Sequence, residues 1–231
     1  MHPDRRASRV AGAELPALLA VTLLANGCMT SRVEESKNTA TGIAANESVV
    51  ILATSYHKGQ AIEEDFVSCV SEQVQQGKSS VTVFPERQFT DALFPWFEPR
   101  TAPQTAEALP ELLARPGVAQ RIENSGIRYI VWLNGNTERT NGGGSLSCAV
   151  VPGGGACFGL AWWEDDASYD AAVWDLQRKS DVGSVSASVH GTSMIPAVII
   201  PVPLIARTQS AACKDMAREL RQFITGSEPR T

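Results

Sequence analysis

The sequence predicts a mixed α/β (α+β) domain. It has a single β-sheet packed by helices, in the order βαβαβ, followed by antiparallel hairpins and a C-terminal helix. In the first half, short apolar runs alternate with amphipathic helical segments. In the second half, segments of alternating polarity flank glycine-rich turns. With 231 residues, 43% of them hydrophobic, the chain is long enough to bury one substantial core.

The first half supplies the βαβαβ part of this order. The continuous apolar run 49–53 is typical of a buried strand. A helix over about 61–76 follows, with three acidic residues in its first turn and Gly77 beyond its end. The segment between residues 85 and 110 is rich in proline and is expected to be irregular. The remaining expected elements are a strand at 81–84, a helix from about 111 or 118 to 124, and a strand at 127–133.

The second half predicts two hairpins. The polar, glycine-rich stretch 134–144 is expected to be a loop. The strands of the first hairpin, 145–151 and 156–163, flank Pro152 and three glycines, and those of the second are 169–176 and 183–190. The apolar segment 195–206 contains three prolines, which exclude a regular helix or a central strand. An amphipathic helix over about 210–224 closes the domain.

The first 27 residues predict a bacterial signal peptide. Arg5, Arg6 and Arg9 precede the apolar run 15–24, and small residues lead to Cys28. The stretch LLANGC resembles a lipobox, which implies that the Cys28 thiol is acylated with palmitate and the preceding peptide removed. The alternative is ordinary secretion with an incidental cysteine. We expect residues 28–47 to be a flexible tether, 48–226 to be one domain with a hairpin insertion at about 145–163, and 227–231 to be a polar tail.

The charge balance points away from nucleic acids and towards a lipid anchor. The formal net charge is -5, whereas a nucleic-acid-binding surface is basic. A negative chain is also repelled by anionic headgroups, so membrane attachment is expected through the acyl chains on Cys28. The residue after Cys28 is Met29 and not the Asp that retains enterobacterial lipoproteins in the inner membrane. We therefore expect the periplasmic face of the outer membrane.

The other four cysteines predict two disulfides, as is usual for a chain in an oxidising compartment. Cys148 and Cys157 lie symmetrically about the predicted PGGG turn, where a hairpin places them opposite each other. Cys69 and Cys213 lie on the apolar faces of two different predicted helices, which pair if these helices pack side by side. The alternative for this second pair is two buried thiols that do not meet.

The segment YDAAVWDLQRKSDVGSVSASVHG, followed by an apolar stretch and a helix, resembles a pattern found in bacterial envelope lipoproteins. These include the curli-secretion lipoproteins, the TolB N-terminal domain and the LpoB activator of peptidoglycan synthases. In that pattern a strand ends in Asp, here Asp175, and a turn with Gly, here Gly183, leads into the return strand. The resemblance implies an α/β fold and an envelope role. The hairpin at 145–163 has no counterpart in those families.

Few residues suggest catalysis. His57 follows the first strand, where open α/β sheets place ligands, and His190 ends a strand beside Thr192 and Ser193. The chain contains no GxSxG nucleophile motif. The acidic run of Glu164, Asp165, Asp166 and Asp170 lacks the spacing of an EF-hand and is expected to be a solvated loop. We assign no catalytic residue, metal ligand or cofactor.

Exposed aromatic residues are the better functional candidates, because large aromatics anchor protein interfaces. Phe94, Trp96 and Phe97 cluster in the proline-rich segment, and Trp162 and Trp163 are adjacent on a predicted strand. The apolar segment 195–206 is a further candidate. The sequence therefore predicts a lipid-anchored binding or assembly protein that contacts an envelope protein or itself. The alternative is an envelope hydrolase that uses His57 or His190.

Overall fold

The fold is a single mixed six-stranded sheet with helices on both faces, seen in a computed structural model that describes residues 28–53, 62–76, 81–97, 101, 103 and 108–226. The strands are β1 (Cys28–Lys37), β2 (Ser48–Ala53), β3 (Thr82–Phe84), β4 (Ile127–Val151), β5 (Gly154–Asp175) and β6 (Ser180–Pro201). The helices are α1 (Glu64–Gln75), α2 (Glu86–Ala92), α3 (Leu109–Leu113), α4 (Val118–Glu123) and α5 (Thr208–Thr225). The predicted signal peptide at 1–27, His57 and the tail at 227–231 lie outside the described residues.

The strand order is β1-β6-β5-β4-β2-β3. Strand β2 is parallel to both β3 and β4, and the other pairs are antiparallel. The fold class predicted from the sequence is therefore confirmed. Within the described residues, no helix is long and apolar enough to cross a membrane.

Each face of the sheet carries its own core. On the first face, α1 and α5 pack on the sheet through residues such as Phe66, Val70, Met216 and Leu220. On the second face, α2, α3 and α4 cover β2 and the start of β4. The buried run of β2 contributes alternate side chains to the two cores, which explains why its sequence is continuously apolar.

Three strands are much longer than the sequence predicts. The stretch 134–144, predicted to be a loop, belongs to β4, and the acidic run 164–166, also predicted to be a loop, belongs to β5. The two stretches pair with each other in an antiparallel ladder that has one bulge, between Arg139 and Asn141. Cross-strand pairing therefore overrides the low strand propensity of Gly142, Gly143 and Gly144.

The predicted tether is also partly wrong. Residues 28–37 form β1, an edge strand whose residues pair one by one with Thr192 back to Gly183 of β6. Nine of its ten residues are exposed, and only Val33 is half-buried. An edge strand that buries so little has no apolar alternation to reveal it in the sequence.

The irregular segment predicted at 85–110 contains α2, whose Phe89 is buried. The two alternative starts of the next predicted helix, residues 111 and 118, correspond to two separate short helices, α3 and α4. Gly117, with φ of 87°, separates them. This positive φ is open to glycine at little steric cost, so the chain can break the helix there.

The turn between β5 and β6 is built around the buried carboxylate of Asp175. One oxygen accepts hydrogen bonds from the backbone N–H groups of Gln177 and Arg178, at 2.9 and 3.0 Å. The other accepts a hydrogen bond from the Arg128 guanidinium at 2.8 Å, and Arg178 lies 3.6 Å from it. Asp175 therefore ties the end of β5 to the turn and to β4.

Two disulfides cross-link the domain. Cys69 of α1 is bonded to Cys213 of α5, and Cys148 of β4 to Cys157 of β5. The sequence favours these same pairs. The Cys148–Cys157 bond joins directly opposed residues of the hairpin, and the Cys69–Cys213 bond fixes two helices side by side on the first face.

Removing the two disulfides one at a time is expected to destabilise the protein unequally. The Cys69–Cys213 bond closes a sequence separation of 144 residues and the Cys148–Cys157 bond one of 9 residues. Loop entropy then gives losses of about 5 and about 3 kcal/mol in the free energy of unfolding. Urea unfolding of the double variants Cys69→Ala/Cys213→Ala and Cys148→Ala/Cys157→Ala measures both. A larger loss in the free energy of unfolding for the Cys148–Cys157 pair than for the Cys69–Cys213 pair would contradict this loop-entropy argument.

Asp175→Asn is expected to lower the free energy of unfolding by about 3 kcal/mol, because it leaves the Arg128 charge without its buried partner. The matched control is Asp170→Asn on the same strand. Asp170 is exposed, so its loss is expected to cost about 0.5 kcal/mol or less. Equal losses for the two variants in urea unfolding would show that the buried ion pair does not hold the turn.

Candidate functional site

The strongest functional feature is an arm formed by the distal halves of β4, β5 and β6. Core residues on β4 end at Leu133, those on β5 begin at Ala167, and those on β6 end at Val189. Beyond these points the three strands continue as a ladder that pairs Cys148 with Cys157 and Cys157 with Ile199. We define the arm as residues 140–163 and 191–206.

After β6 the chain folds back along it and completes the arm. Met194 and Leu204 exchange backbone hydrogen bonds of 2.9 and 2.8 Å, and Val202 donates to the carbonyl of Pro196 at 3.0 Å. The Ala206 N–H is bonded to the buried hydroxyl of Ser193. Beyond Thr192, β1 no longer pairs with β6, so the outer edge of β6 is free. The segment with three prolines can therefore end the strand and turn back along this edge.

The arm contains no charged residue. None occurs between Arg139 and Glu164, nor between His190 and Arg207, although 19% of the whole chain is charged. These four residues and the acids next to Glu164 surround the base of the arm. A surface without charge in a chain of net charge -5 can contact an apolar partner without desolvating ions.

The tip of the arm exposes large apolar side chains. Val150 is 91% exposed, Val198 78% and Ile200 71%. Phe158, Leu160 and Ile199 are also exposed. Exposed apolar side chains of this kind mark surfaces that bind proteins or membranes.

The register places Cys28 on one particular face of the arm. Cys28 is opposite Thr192, and Thr192 is opposite Glu164, so their side chains share a face of the sheet. From Glu164 towards the tip, the β4–β5 and β5–β6 ladders both run without a register shift. The same face therefore carries Trp162, Leu160 and Phe158 of β5 and Met194 and Val198 of β6; we call these five side chains the Cys28 face.

Trp162 and Trp163, which the sequence singles out, lie on opposite faces at the base of the arm. Trp162 is opposite Gly143, and a Cβ on that glycine would lie 3.3 Å from the indole nitrogen. The Trp163 indole N–H donates to Asp165 at 2.9 Å, and the Arg139 guanidinium lies 5.0 Å from its ring. Trp163 is therefore held by the charged residues at the base, whereas Trp162 continues the Cys28 face.

The other aromatic cluster is divided between surface and core. Phe94 is exposed, and Trp96 is half-buried with the Arg121 guanidinium 5.0 Å from its ring. Phe97 is buried, edge-to-face with Phe89 in the second core. The sequence-based assignment of Phe97 as a partner contact is therefore corrected, because the second core needs its ring.

His190 forms an ion pair with Asp166 at the base of the arm. The two residues are directly opposite on β6 and β5, and Nδ1 lies 2.5 Å from the carboxylate. This bond raises the pKa of His190, and desolvation opposes the shift. Both side chains are about half exposed, so the pair lies on an open surface of the sheet. His57 lies outside the described residues.

A polar network that sequence reasoning missed lies between α1 and the sheet. The Tyr169 hydroxyl donates to Glu63 at 2.8 Å and contacts the Thr137 hydroxyl at 2.8 Å, while Glu63 also accepts the Thr137 N–H. Burial and the Glu63 carboxylate raise the pKa of Tyr169. The Tyr169 ring stacks on Phe66 at 3.5 Å. The network fixes the start of α1 against the strands that carry the arm.

The comparisons with known proteins are limited to distant structural likeness. No protein-family model and no curated protein matches the chain. A PelC dodecamer from Paraburkholderia phytofirmans is similar at 10% identity and a TM-score of 0.40, over 86% of this chain and 100% of that chain. The hypothetical protein CT253 from Chlamydia trachomatis is similar at 9% and 0.35, over 77% and 98%. A putative neuraminyllactose-binding hemagglutinin homologue from Helicobacter pylori is similar at 10% and 0.32, over 84% and 91%.

The His190–Asp166 pair makes a prediction about pH. Because protonated imidazole is stabilised by Asp166, His190 is expected to titrate above the ordinary value of about 6.5. The contact then stabilises the fold below that ordinary value and is lost as the pH rises through the raised pKa.

An NMR titration measures this midpoint, with the resonance assigned by its loss in His190→Gln. Asp166→Asn is expected to lower the midpoint, whereas the control Asp170→Asn, further down β5, leaves it unchanged. An unchanged midpoint in Asp166→Asn would contradict the pairing.

Proposed function

We propose that the chain is a lipid-anchored envelope protein of the binding or assembly type, with the arm as its contact surface. The observation that carries the proposal is the arm itself, a charge-free extension of the sheet beyond both cores. Exposing Val150, Val198 and Ile200 to water is unfavourable, so an occupied surface is the expected state of this arm.

The anchor in this proposal is an acyl group on Cys28, at the periplasmic face of the outer membrane. Cys28 is exposed and is a free thiol, unlike the four cysteines in disulfides. The two disulfides fit an oxidising compartment, where such bonds persist. The resemblance to envelope lipoproteins, carried by Asp175 and Gly183, also supports a location in the envelope, which remains a prediction.

A second candidate function is an envelope hydrolase that uses His190. The observation that favours it is the Asp166 carboxylate bonded to Nδ1, the arrangement that orients a histidine acting as a general base. Such an enzyme also needs a nucleophile within reach of the other ring nitrogen. Its hydrolytic activity on an envelope substrate would be lost in His190→Gln and retained in an arm variant such as Val198→Ser.

Metabolic labelling tests the anchor. Labelled palmitate is expected to enter the full chain expressed in its native envelope and to be absent from Cys28→Ser, because the thiol is the attachment atom. Mass spectrometry of the purified protein checks that residues 1–27 are removed. Unlabelled protein that retains Met1 would overturn the anchor.

Photo-crosslinking tests the contact surface. A benzoyl-phenylalanine in place of Phe158 on the arm is expected to crosslink to a component of the native envelope, either protein or lipid. The same substitution at Phe94 is the matched control, since the two phenylalanines are 57% and 61% exposed and Phe94 lies outside the arm.

Crosslinks from Phe94 but not from Phe158 would move the contact surface to the proline-rich segment. Crosslinks from neither position would contradict an assembly role for both surfaces.

A further inference from the structure

We infer that the Cys28 face of the arm lies flat against a phospholipid bilayer, the same bilayer that holds the acyl chains. This inference rests on the proposed lipid anchor and names the partner of the arm. It follows from where Cys28 lies in the sheet, from the chemistry of one face, and from the hydrogen bonding that a bilayer demands.

The direction of β1 puts the anchor beside the arm. Strand β1 is antiparallel to β6, and β6 runs towards the tip, so β1 begins at its tip-ward end with Cys28. An acyl chain on Cys28 therefore joins the domain at the base of the arm, and the membrane that holds this chain lies next to the arm.

The Cys28 side chain and the apolar side chains emerge from the same face. Starting from Cys28 and Thr192, the next residues on this face towards the tip are Trp162 and Met194, and beyond them Phe158 is opposite Val198. From Trp162 to Gly154, where β5 begins, this is eight residues, or about 27 Å at the rise of an antiparallel strand. The anchor and an apolar strip of that length thus face the same way.

A flat orientation follows from the open edges of the arm. Within the described residues, β4 pairs beyond Leu133 only with β5, and Glu138 to Val150 are all exposed. Backbone groups left unpaired in hydrocarbon are costly, so end-on insertion of this arm is unfavourable. Lying in the interfacial plane buries the apolar face and leaves the edges in the hydrated headgroup region.

The base of the arm fits the same orientation. Trp162 lies where the apolar strip meets the charged residues, and tryptophan prefers the headgroup level. Glu164 lies on the same face nearer the body, and its negative charge disfavours anionic lipid, whereas the neighbouring Asp166 is paired with His190. The partner surface we infer is therefore zwitterionic.

Fluorescence quenching by brominated lipid tests the inference on the full acylated chain reconstituted in phosphatidylcholine vesicles. Val198→Trp places a reporter on the Cys28 face and Val150→Trp places one on the opposite face, at two exposed valines near the tip. Quenching of the added emission is expected for Val198→Trp and not for Val150→Trp. Replacing part of the lipid with phosphatidylglycerol is expected to reduce the quenching.

A second pair of variants repeats the comparison nearer the base of the arm. Leu160→Trp lies on the Cys28 face and Leu146→Trp on the other, and both leucines are partly exposed in the native chain. Circular dichroism of each variant checks that it is folded. Agreement between the two pairs excludes a local effect of any one substitution.

The outcomes separate the inference from the proposed function. Acylated, vesicle-bound protein with equal quenching on both faces, or with none, overturns the flat bilayer contact and leaves the anchor standing. Protein that carries no acyl chain and does not float with vesicles overturns both. Quenching confined to Val198→Trp and Leu160→Trp supports the inference.

Discussion

The buried carboxylate of Asp175 fixes the turn from which β5 and β6 run towards the arm, and it ties this turn to β4. It binds the backbone of the β5–β6 turn and the Arg128 side chain of β4, so three strands are aligned at one point. Side chains alternate between faces along a strand, so a slip of one residue would exchange the faces of β5 and β6. Cys28 would then no longer share a face with Phe158 and Val198.

The Cys148–Cys157 disulfide holds the register at the opposite end of the same ladder. Between Asp175, opposite Tyr129, and this bond, the β4–β5 pairing is continuous except for one bulge between Arg139 and Asn141. The long arm is therefore constrained at both ends although none of the described helices covers its tip. This arrangement lets a surface without a core of its own keep a defined pattern of side chains.

Much of the fold could be predicted from the sequence where burial is strong. The apolar run of β2 and the amphipathic pattern of α5 each pack on a large core, and a buried segment leaves a clear periodicity. The PGGG turn and its flanking cysteines likewise identify the hairpin. The sequence also favoured the pairing of Cys69 with Cys213 from the two helical faces that carry them, but it left open that the two thiols do not meet.

The parts that the sequence did not reveal are stabilised by pairing rather than burial. Most residues of β1 and of the stretch 134–144 are exposed, so neither segment has an apolar period, and the glycines of the second argue for a loop. The network of Glu63, Thr137 and Tyr169 joins residues far apart in the chain. The arm did leave one signal, the absence of charge from 140 to 163 and from 191 to 206, which periodicity alone does not detect.

The Cys69–Cys213 bond has a consequence for the order in which the chain matures. Cys213 lies 144 residues after Cys69, so oxidation to the native pair must wait until both helices have entered the oxidising compartment. The short Cys148–Cys157 loop can close earlier, which makes the hairpin tip a covalently complete unit before α1 acquires its partner. The tip of the arm can therefore be cross-linked before the two helices that pack on the first face of the sheet.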